Sequence, residues 1–291
     1  MGHMNVRIYV EKMMEGLGNF AHLIEMPHTF KPHSPSTLIP LDQHIRFLRE
    51  VHPGRPLRMI GGVLEIGTSD ALIYQEIQHG DGTPAAAFRT RIQHISSHTG
   101  LAFGWSERTR RALNARLIDP PTHTMPRSID PRSTVLADPA ITLDRVAETG
   151  APRIGVGHVA HNHCDAFERM RTEWFMGRMS DSVPNLLYDW RKQVADAAGD
   201  RKMGAAVLEY RLVYRRWPKA GDRFEVYASF AEAAEKVHSI IYWMMDPDGQ
   251  TPWMTCEAVA VTFDLETRKI LPTNTDHIAK LESLAPAGLQ L

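Results

Sequence analysis

The sequence repeats itself at long range, and this repeat constrains the fold more than any other feature. Residues 4–20 align without a gap on residues 170–186, so the two copies are offset by 166 residues (170 − 4). The aligned side chains agree in type along the segment: Met4 with Met170, Tyr9 with Phe175, Met13 with Met179, Glu15 with Asp181, and Asn19 with Asn185. Self-similarity at a long spacing predicts two copies of one structural unit.

Two later segments continue the alignment in the same order. Residues 44–57 align on residues 211–224 at an offset of 167, and residues 70–95 align on residues 238–263 at an offset of 168. Two single-residue length changes in loops would produce this drift. The sequence therefore predicts two homologous units, with a boundary near residue 150.

Each copy begins with a helical segment and continues as strands. Apolar side chains recur at helical spacing in the first segment, and runs of alternating or continuous apolar residues, separated by turn residues, follow it. The helical apolar positions are Ile8, Met13, Met14 and Leu17, and then Phe175, Met176, Met179, Val183 and Leu186. A helix followed by antiparallel strands is typical of an α+β unit in which a sheet wraps around the helix.

These patterns predict three parts along the chain. Residues 1–97 form the first unit, and residues 151–291 form the second. Residues 98–150 form a linker that is rich in Pro, Asp, Thr and Arg and contains a short helix.

Composition limits the classes of function. The 33 basic and 34 acidic side chains leave a formal net charge of −1, which favours neither a nucleic-acid partner nor a membrane-surface partner. No apolar run is long enough to span a bilayer, and the first residues hold no apolar signal segment. The two cysteines, Cys164 and Cys256, indicate neither a disulfide framework nor a zinc site built from cysteines. We therefore expect a cytoplasmic protein.

The histidine-rich stretch HVAHNHCD raises the question of a metal site. His161, His163 and Asp165 alternate along the chain, and a strand would direct all three to one side. The other half of the chain, however, holds no second pair of His, Asp or Glu residues at ligand spacing. We therefore expect no metal, and we interpret the stretch as a strand that leads into a helix.

The residues after this stretch resemble a motif of the hotdog-fold acyl-CoA thioesterases that are similar to 4-hydroxybenzoyl-CoA thioesterase. That motif has an aspartate at the end of the first strand, then two residues, and then Gly-His-Val/Met-Asn at the start of the central helix. An aromatic residue follows four positions after the Asn. In the second copy Asp165, Met170 and Phe175 match the motif, whereas Glu168 and Arg169 replace the Gly-His pair.

The first copy supplies the complementary half of the motif. The helix start matches in full, at Gly2, His3, Met4, Asn5 and Tyr9. A cloning remnant is the alternative explanation of Gly-His-Met. At an offset of 166, the counterpart of Asp165 would precede residue 1, so we expect the first unit to lack its first strand. The linker or another chain would then cover the exposed sheet edge.

The resemblance implies a double hotdog, in which two tandem units each wrap an antiparallel sheet around a central helix. It also implies an acyl-CoA thioesterase, with coenzyme A as part of the substrate and no other cofactor. Asp165 would act as the base or nucleophile, and free backbone amides around Arg169 to Thr172 would bind the oxyanion. A helix cap is the alternative role of Asp165.

Eight further residues are predicted to bind substrate, and other readings of some of them stay open. They are His163, Arg169, Met170, Arg171, Glu15, Asn19, Asp181 and Asn185. Glu15 and Asp181 occupy equivalent positions in the two helices, where a carboxylate can serve catalysis or remain a surface acid. Asn19 and Asn185 can donate to substrate or bond locally.

The sequence leaves two rival functions open. A hotdog hydratase or dehydratase acting on acyl thioesters is the first, although its Gly-Asp-x-Asn-Pro-x-His type of stretch is absent from this sequence. A non-catalytic acyl-CoA-binding or scaffold protein is the second, and the replaced Gly-His pair favours it. As partners we expect an acyl-CoA substrate, neither nucleic acid nor membrane, and a homodimer of double-hotdog chains as an option.

Overall fold

The protein is described here from a computed structural model, which covers residues 2–198 and 203–272, together with Ile278. The chain divides into two compact units. The first consists of Met1–Arg127 and Ala160–Met176, and the second of Ser128–Val159 and Gly177–Leu291. The division predicted from the sequence, at residues 1–97, 98–150 and 151–291, stays a prediction.

The first unit wraps a four-stranded antiparallel sheet around one helix. Its elements are α1 (Val6–Leu23), β1 (Ser36–Phe47), β2 (Leu57–Ile66), β3 (Asp70–His79), β4 (Pro84–Ser96) and α2 (Glu107–Asn114). The strand order is β2-β3-β4-β1. Asn5 caps α1, because its Oδ1 accepts the backbone N–H of Arg7 at 2.8 Å. The apolar stripe of α1, including Val10, Met13 and Leu17, is fully buried.

The second unit repeats this plan with one more strand. Its elements are α3 (Leu143–Glu148), β5 (Arg153–His158), α4 (Thr172–Ala198), β6 (Met203–Tyr214), β7 (Arg223–Ala233), β8 (His238–Met245) and β9 (Pro252–Asp264). The first turn of α4 belongs to the first unit. The strands are antiparallel and follow the order β6-β9-β8-β7-β5. No helix in the described part of the chain is long and apolar enough to cross a membrane.

Irregularities in the two sheets confirm the repeat. Register shifts occur at 40/42, 63/65 and 77/78 in the first sheet, and at 207/209, 230/232 and 244/245 in the second. The differences 207 − 40, 230 − 63 and 244 − 77 are all 167. Bulges are specific local features, so three of them in matching positions show that both units have one fold. The predicted pair of hotdog units is confirmed.

Among the described residues no strand precedes α1, and β2 lies at the edge of the first sheet; that the unit lacks its first strand stays a prediction. Residues of the linker pair with this edge of β2. Val63 N donates to Arg116 O at 2.9 Å, and Ile118 N donates to Val63 O at 2.9 Å. The side chain of Ile118 approaches so closely that a Cβ at Gly62 would lie 2.7 Å from it.

The linker helix α2 extends this cover. Leu113 of α2 is fully buried in the same apolar cluster as Leu17, Ile24 and Val63. Ser106 caps the helix by accepting the N–H of Thr109 at 3.1 Å. This part of the linker is therefore built into the core of the first unit.

The interpretation of the histidine-rich stretch as a strand that leads into the helix is wrong beyond His158. β5 ends at His158, and His161–His163 form a single 3-10 turn in which His163 N donates to Ala160 O at 2.9 Å. The turn removes the strand alternation on which the shared face of His161, His163 and Asp165 depended. Asp165 consequently lies in a loop, seven positions after β5 ends.

The remainder of the linker packs on one face of the second sheet through buried charges. Arg211 donates to the carbonyl oxygens of Asp130 and Ser133 at 3.1 and 2.6 Å. Glu257 lies directly opposite Arg211 on the neighbouring strand. Burial raises the pKa of the Glu257 carboxyl to about 7; the charges of Glu209, Glu232 and Asp130 add to this rise, and Arg211 opposes it.

The packing of α2 predicts that Leu113→Ala destabilises the protein by about 2–5 kcal/mol, because it leaves a cavity in a fully buried cluster. Urea unfolding of the variant measures the loss. Leu101→Ala is the control, since Leu101 is 70% exposed, and it should change little. An unchanged stability of Leu113→Ala would show that α2 rests on the unit without contributing to its core.

The buried Glu257 carboxyl predicts a pH-dependent stability. The folded state holds its proton up to about pH 7, whereas the unfolded chain releases it near pH 4.3. Stability should therefore fall as pH rises through this window, by on the order of 1–3 kcal/mol. Glu257→Gln should remove that part of the fall, and the exposed Glu235→Gln should keep it. Unfolding midpoints measured between pH 4 and pH 8 test this prediction. If stability falls equally with pH in the wild type and in Glu257→Gln, the buried Glu257 carboxyl is not the cause of the fall.

Candidate active site

The starts of the two central helices meet within the first unit. The guanidinium of Arg7, in the first turn of α1, lies over the ring of Trp174, 4.7 Å from its centroid. The ring of His163 stacks on Trp174 with 3.8 Å between centroids. His163 is buried, at 7% exposure. Trp174 thus joins α1 to the loop before α4.

That loop, residues 163–171, is closed by its own backbone. Asp165 N donates to Arg169 O at 2.7 Å, and Arg171 N donates to His163 O at 2.8 Å. These two bonds form an antiparallel bridge between Cys164 and Met170. We call residues 163–171 the motif loop. It ends where α4 begins, at Thr172.

The carboxylate of Asp165 organises the motif loop. Its Oδ1 accepts the backbone N–H groups of Phe167 and Arg169 at 2.8 and 3.0 Å. Its Oδ2 accepts Nε and Nη2 of Arg169 at 3.1 and 2.8 Å. The guanidinium of Arg169 also lies over the ring of Phe167, at 4.9 Å. Both oxygens are therefore held by charge-assisted or backbone hydrogen bonds, and the side chain remains 31% exposed.

Asp165 caps this loop and not α4, because the helix begins seven residues later. The predicted set of free amides needs a correction for the same reason. Arg169 N and Arg171 N are occupied by Asp165 Oδ1 and His163 O. Within the part of the chain that is described, the N–H groups of Met170 and Thr172 find no acceptor. These two amides are the remaining candidate donors for an oxyanion.

A buried acid stands in the first turn of α4. Glu173 is 3% exposed, and Arg171 Nε lies 3.2 Å from its Oε1. Burial raises the pKa of the Glu173 carboxyl, and the charge of Glu11 adds to this, whereas Arg171 and Arg7 oppose it. Nothing in the sequence singles out Glu173, because an acid in the first turn of an amphipathic helix is normally a surface residue favoured by the helix dipole.

A second charged group lies at the start of α1. Glu50 has His3 Nδ1 at 3.9 Å from one carboxylate oxygen and His52 Nε2 at 3.8 Å from the other. His52 Nδ1 is 3.0 Å from the carbonyl oxygen of Gly2. The helix-start motif in the sequence includes His3. Glu50 and His52 belong to no motif in the sequence, because they lie in the loop between β1 and β2. Among the described residues, no cluster of His, Cys, Asp and Glu is arranged to hold a metal ion.

The structure brings five of the nine predicted site residues together and places four elsewhere. His163, Asp165, Arg169, Met170 and Arg171 share the motif loop. Glu15 lies on the exposed side of α1, where Lys12 pairs with it at 2.8 Å. Asn19 is also exposed on α1. The functional roles of these residues stay predictions.

Asp181 and Asn185 line a groove within the second unit. The groove has a volume of about 580 Å³ and lies between α4 and β5, with Arg153, His158 and Arg178 on its walls. Asn185 Nδ2 donates to Ile154 O at 2.7 Å, so this side chain fastens the edge strand to the helix. Asp181 is exposed in the groove.

Three solved structures share the fold over 89% of this chain. An oleoyl thioesterase from Lactobacillus plantarum has a TM-score of 0.65 at 11% identity, over 89% of that chain. A 12:0-ACP thioesterase from Umbellularia californica has a TM-score of 0.64 at 10% identity, over 87% of its length. An acyl-ACP thioesterase from Bacteroides thetaiotaomicron has a TM-score of 0.60 at 11% identity, over 90% of its length.

Sequence comparison gives the family. No curated protein sequence is similar enough to count as a match. The profile of the thioesterase-like superfamily matches residues 1–121 and 157–281, which is well over half of the chain. These two segments contain both helix starts and all nine predicted site residues. The chain therefore belongs to the thioesterase-like superfamily and is a thioester hydrolase.

Proposed function

We propose that the protein hydrolyses an acyl-CoA thioester at the motif loop, with Asp165 as the base or nucleophile. The observation that supports this most is the position of the Asp165 carboxylate, which is partly exposed and lies just before the start of α4. The ion pair with Arg169 holds the carboxylate in one fixed orientation.

The proposed reaction needs a carboxylate and an oxyanion site. As a base, Asp165 takes a proton from a water molecule that attacks the thioester carbonyl carbon; as a nucleophile, it attacks that carbon itself. The carbonyl oxygen becomes negative and accepts hydrogen bonds from the amides of Met170 and Thr172, where the N-terminal end of α4 adds its dipole.

The carbon–sulfur bond then breaks. In the base route the leaving thiolate takes the proton that Asp165 removed from water, and the acid and the thiol are released. In the nucleophile route a mixed anhydride forms on Asp165, and a water molecule hydrolyses it, which releases the acid, restores the Asp165 carboxylate and supplies the proton that the thiolate takes up.

Arg169 has to give up one carboxylate oxygen for this to happen, because it holds Oδ2 through two N–H groups. An arriving oxyanion competes for the same donors, and the guanidinium offers a planar fork that suits either partner. Arg169 therefore acts as a cation shared between Asp165 and the substrate.

The names of the similar structures support an acyl thioester and leave the thiol carrier open. One is named for an oleoyl thioester and two for acyl-ACP thioesters. We propose coenzyme A as the carrier, and the corresponding acyl-ACP substrates form the second arm of the assay. Thiol release measured over acyl chains of increasing length, on both carriers, assigns the substrate.

The site assignment predicts that Asp165→Asn lowers turnover by roughly two to four powers of ten, the usual loss with a general base. The asparagine Oδ1 still accepts the amides of Phe167 and Arg169, so the motif loop should fold. Asp144→Asn is the matched control, since Asp144 is an exposed carboxylate on α3 that lies outside the motif loop, and it should stay within a fewfold of wild type. Near-normal turnover of a folded Asp165→Asn would overturn the role of this residue.

The backbone of the motif loop yields a separate prediction. Glu168 occupies the glycine position of the family motif and has a φ of 63°, in the left-handed region that favours glycine. Its side chain is exposed. Glu168→Gly should therefore stabilise the protein by up to about 1 kcal/mol, the relief of left-handed strain less the extra backbone entropy of glycine.

Urea unfolding of Glu168→Gly and of Glu168→Ala separates backbone from side chain. The alanine variant keeps a Cβ and should give no gain. If the two variants are equally stable, the change in the free energy of unfolding comes from removing the exposed side chain and not from the backbone conformation.

A further inference from the structure

The peptide unit that joins the motif loop to α4 carries one of the two candidate oxyanion donors, the N–H group of Thr172. A peptide unit is planar, so the direction of its N–H group is fixed once its carbonyl group is held. The carbonyl oxygen of this unit belongs to Arg171, and it accepts the N–H of Trp174 at 2.9 Å. Arg171 N in turn donates to His163 O at 2.8 Å. The conformation of Arg171 therefore sets the direction of the Thr172 amide.

The side chain of Arg171 is held on two sides. Its Nη2 donates to the carbonyl oxygen of Asn162 at 3.2 Å, in the 3-10 turn His161–His163. Its Nε lies 3.2 Å from Oε1 of Glu173, in the first turn of α4. Among the described residues, Glu173 is the only acid that is paired with Arg171. The guanidinium therefore connects the turn before the motif loop to the helix after it.

Glu173 is a buried acid whose direct partner is this guanidinium. Burying a carboxylate costs free energy unless a cation compensates for the lost water. The charged groups that act on Glu173 are Arg171 of the motif loop and two residues of α1, Arg7 and Glu11. Arg7 is paired with Glu11, with 3.2 Å between Nη1 and Oε2. The main contact open to the Glu173 carboxylate is therefore the one that holds Arg171 in place.

The same two positions are linked in the first copy of the repeat. Arg171 and Glu173 correspond to Asn5 and Arg7 at the offset of 166 residues (171 − 5 and 173 − 7). Asn5 Oδ1 accepts the backbone N–H of Arg7 at 2.8 Å and so caps α1. An arginine side chain has no acceptor and cannot cap a helix in this way. In the second copy an ion pair between the two side chains takes the place of that hydrogen bond.

We propose that Glu173 is a positioning residue for thioester hydrolysis: through Arg171 it fixes the Thr172 amide, and the adjoining Met170 amide, in the direction that the oxyanion requires. This role rests on the proposed function, because the two amides matter only if the reaction takes place at the motif loop. In this role Glu173 touches neither the substrate nor the reacting atoms. Since the oxyanion exists only in the transition state, loss of Glu173 should lower kcat and leave KM unchanged.

Glu173→Gln removes the charge and keeps the shape of the side chain. It should lower kcat for the best thioester about tenfold, which is part of the roughly two to three powers of ten that one oxyanion donor contributes. KM should stay within about twofold of wild type. Glu107→Gln is the matched control, because Glu107 is also an acid in the first turn of a helix, 3.9 Å from Arg111, but is 95% exposed. It should keep the kcat and KM of wild type.

Arg171→Met tests whether Glu173 acts through Arg171, and it tests the same link if Glu173→Gln fails to fold. It should lower kcat by a similar factor. The double variant should lose no more than either single variant, because both changes break one link. The pH profile of kcat in Glu173→Gln should keep the shape of the wild-type profile, because Asp165 remains the base or nucleophile.

Three results would overturn the proposal: wild-type kcat in folded Glu173→Gln or Arg171→Met, a higher KM in place of a lower kcat, or losses that multiply in the double variant. A loss of roughly two or more powers of ten with a changed pH profile would also contradict it, since Glu173 would then be a catalytic residue.

Asp165→Asn, assayed in parallel, separates this proposal from the proposed function. If Asp165→Asn loses turnover and Glu173→Gln does not, only the positioning role is wrong. If folded Asp165→Asn keeps normal turnover, the reaction site and the positioning role are both wrong.

Discussion

The need to satisfy backbone hydrogen bonds at a sheet edge shapes the first unit. An edge strand presents N–H and C=O groups that must find a partner or face water. In the second unit β5 meets this need for β7, whereas in the first unit Arg116 and Ile118 pair with Val63 of β2. The side chains that follow this pairing, above all Leu113 of α2, then complete the core. The linker is consequently part of the fold, although its composition suggested a spacer.

The motif loop shows how one conformation can survive a change in its residues. In the family motif a Gly-His pair follows the aspartate, and here Glu168 and Arg169 stand in its place. Glu168 keeps the left-handed backbone that a glycine would adopt. Arg169 turns back and pairs with Asp165, so the loop gains an ion pair that neutral residues could not supply. The replaced pair therefore alters the chemistry around Asp165 more than it alters the shape of the chain.

The sequence alone predicted the features that depend on neighbouring residues. It did not predict those that depend on contacts between residues far apart in the chain. Periodicity and the repeat predicted α1, α4 and the strands, since apolar spacing depends on neighbours along the chain. Nothing local foretold the end of β5 at His158, because the 3-10 turn that follows brings His163 onto Trp174, eleven residues away. The burial of Glu173 under Arg7 and Arg171 is likewise a tertiary effect. Two of the predicted free amides are occupied, because Asp165 also binds the backbone N–H of Arg169 and the carbonyl oxygen of His163 accepts the N–H of Arg171.

Two kinds of contact fasten the linker of the second unit to its sheet. Arg211 and Arg215 donate to linker carbonyl oxygens, and Leu136 and Ile141 of the linker pack with Trp243 in one buried apolar cluster. A carbonyl oxygen that is buried without a donor costs free energy, so the apolar cluster can bring this backbone onto the sheet only because the arginines bond to it. The hydrogen bonds and the apolar contacts of this segment therefore depend on each other.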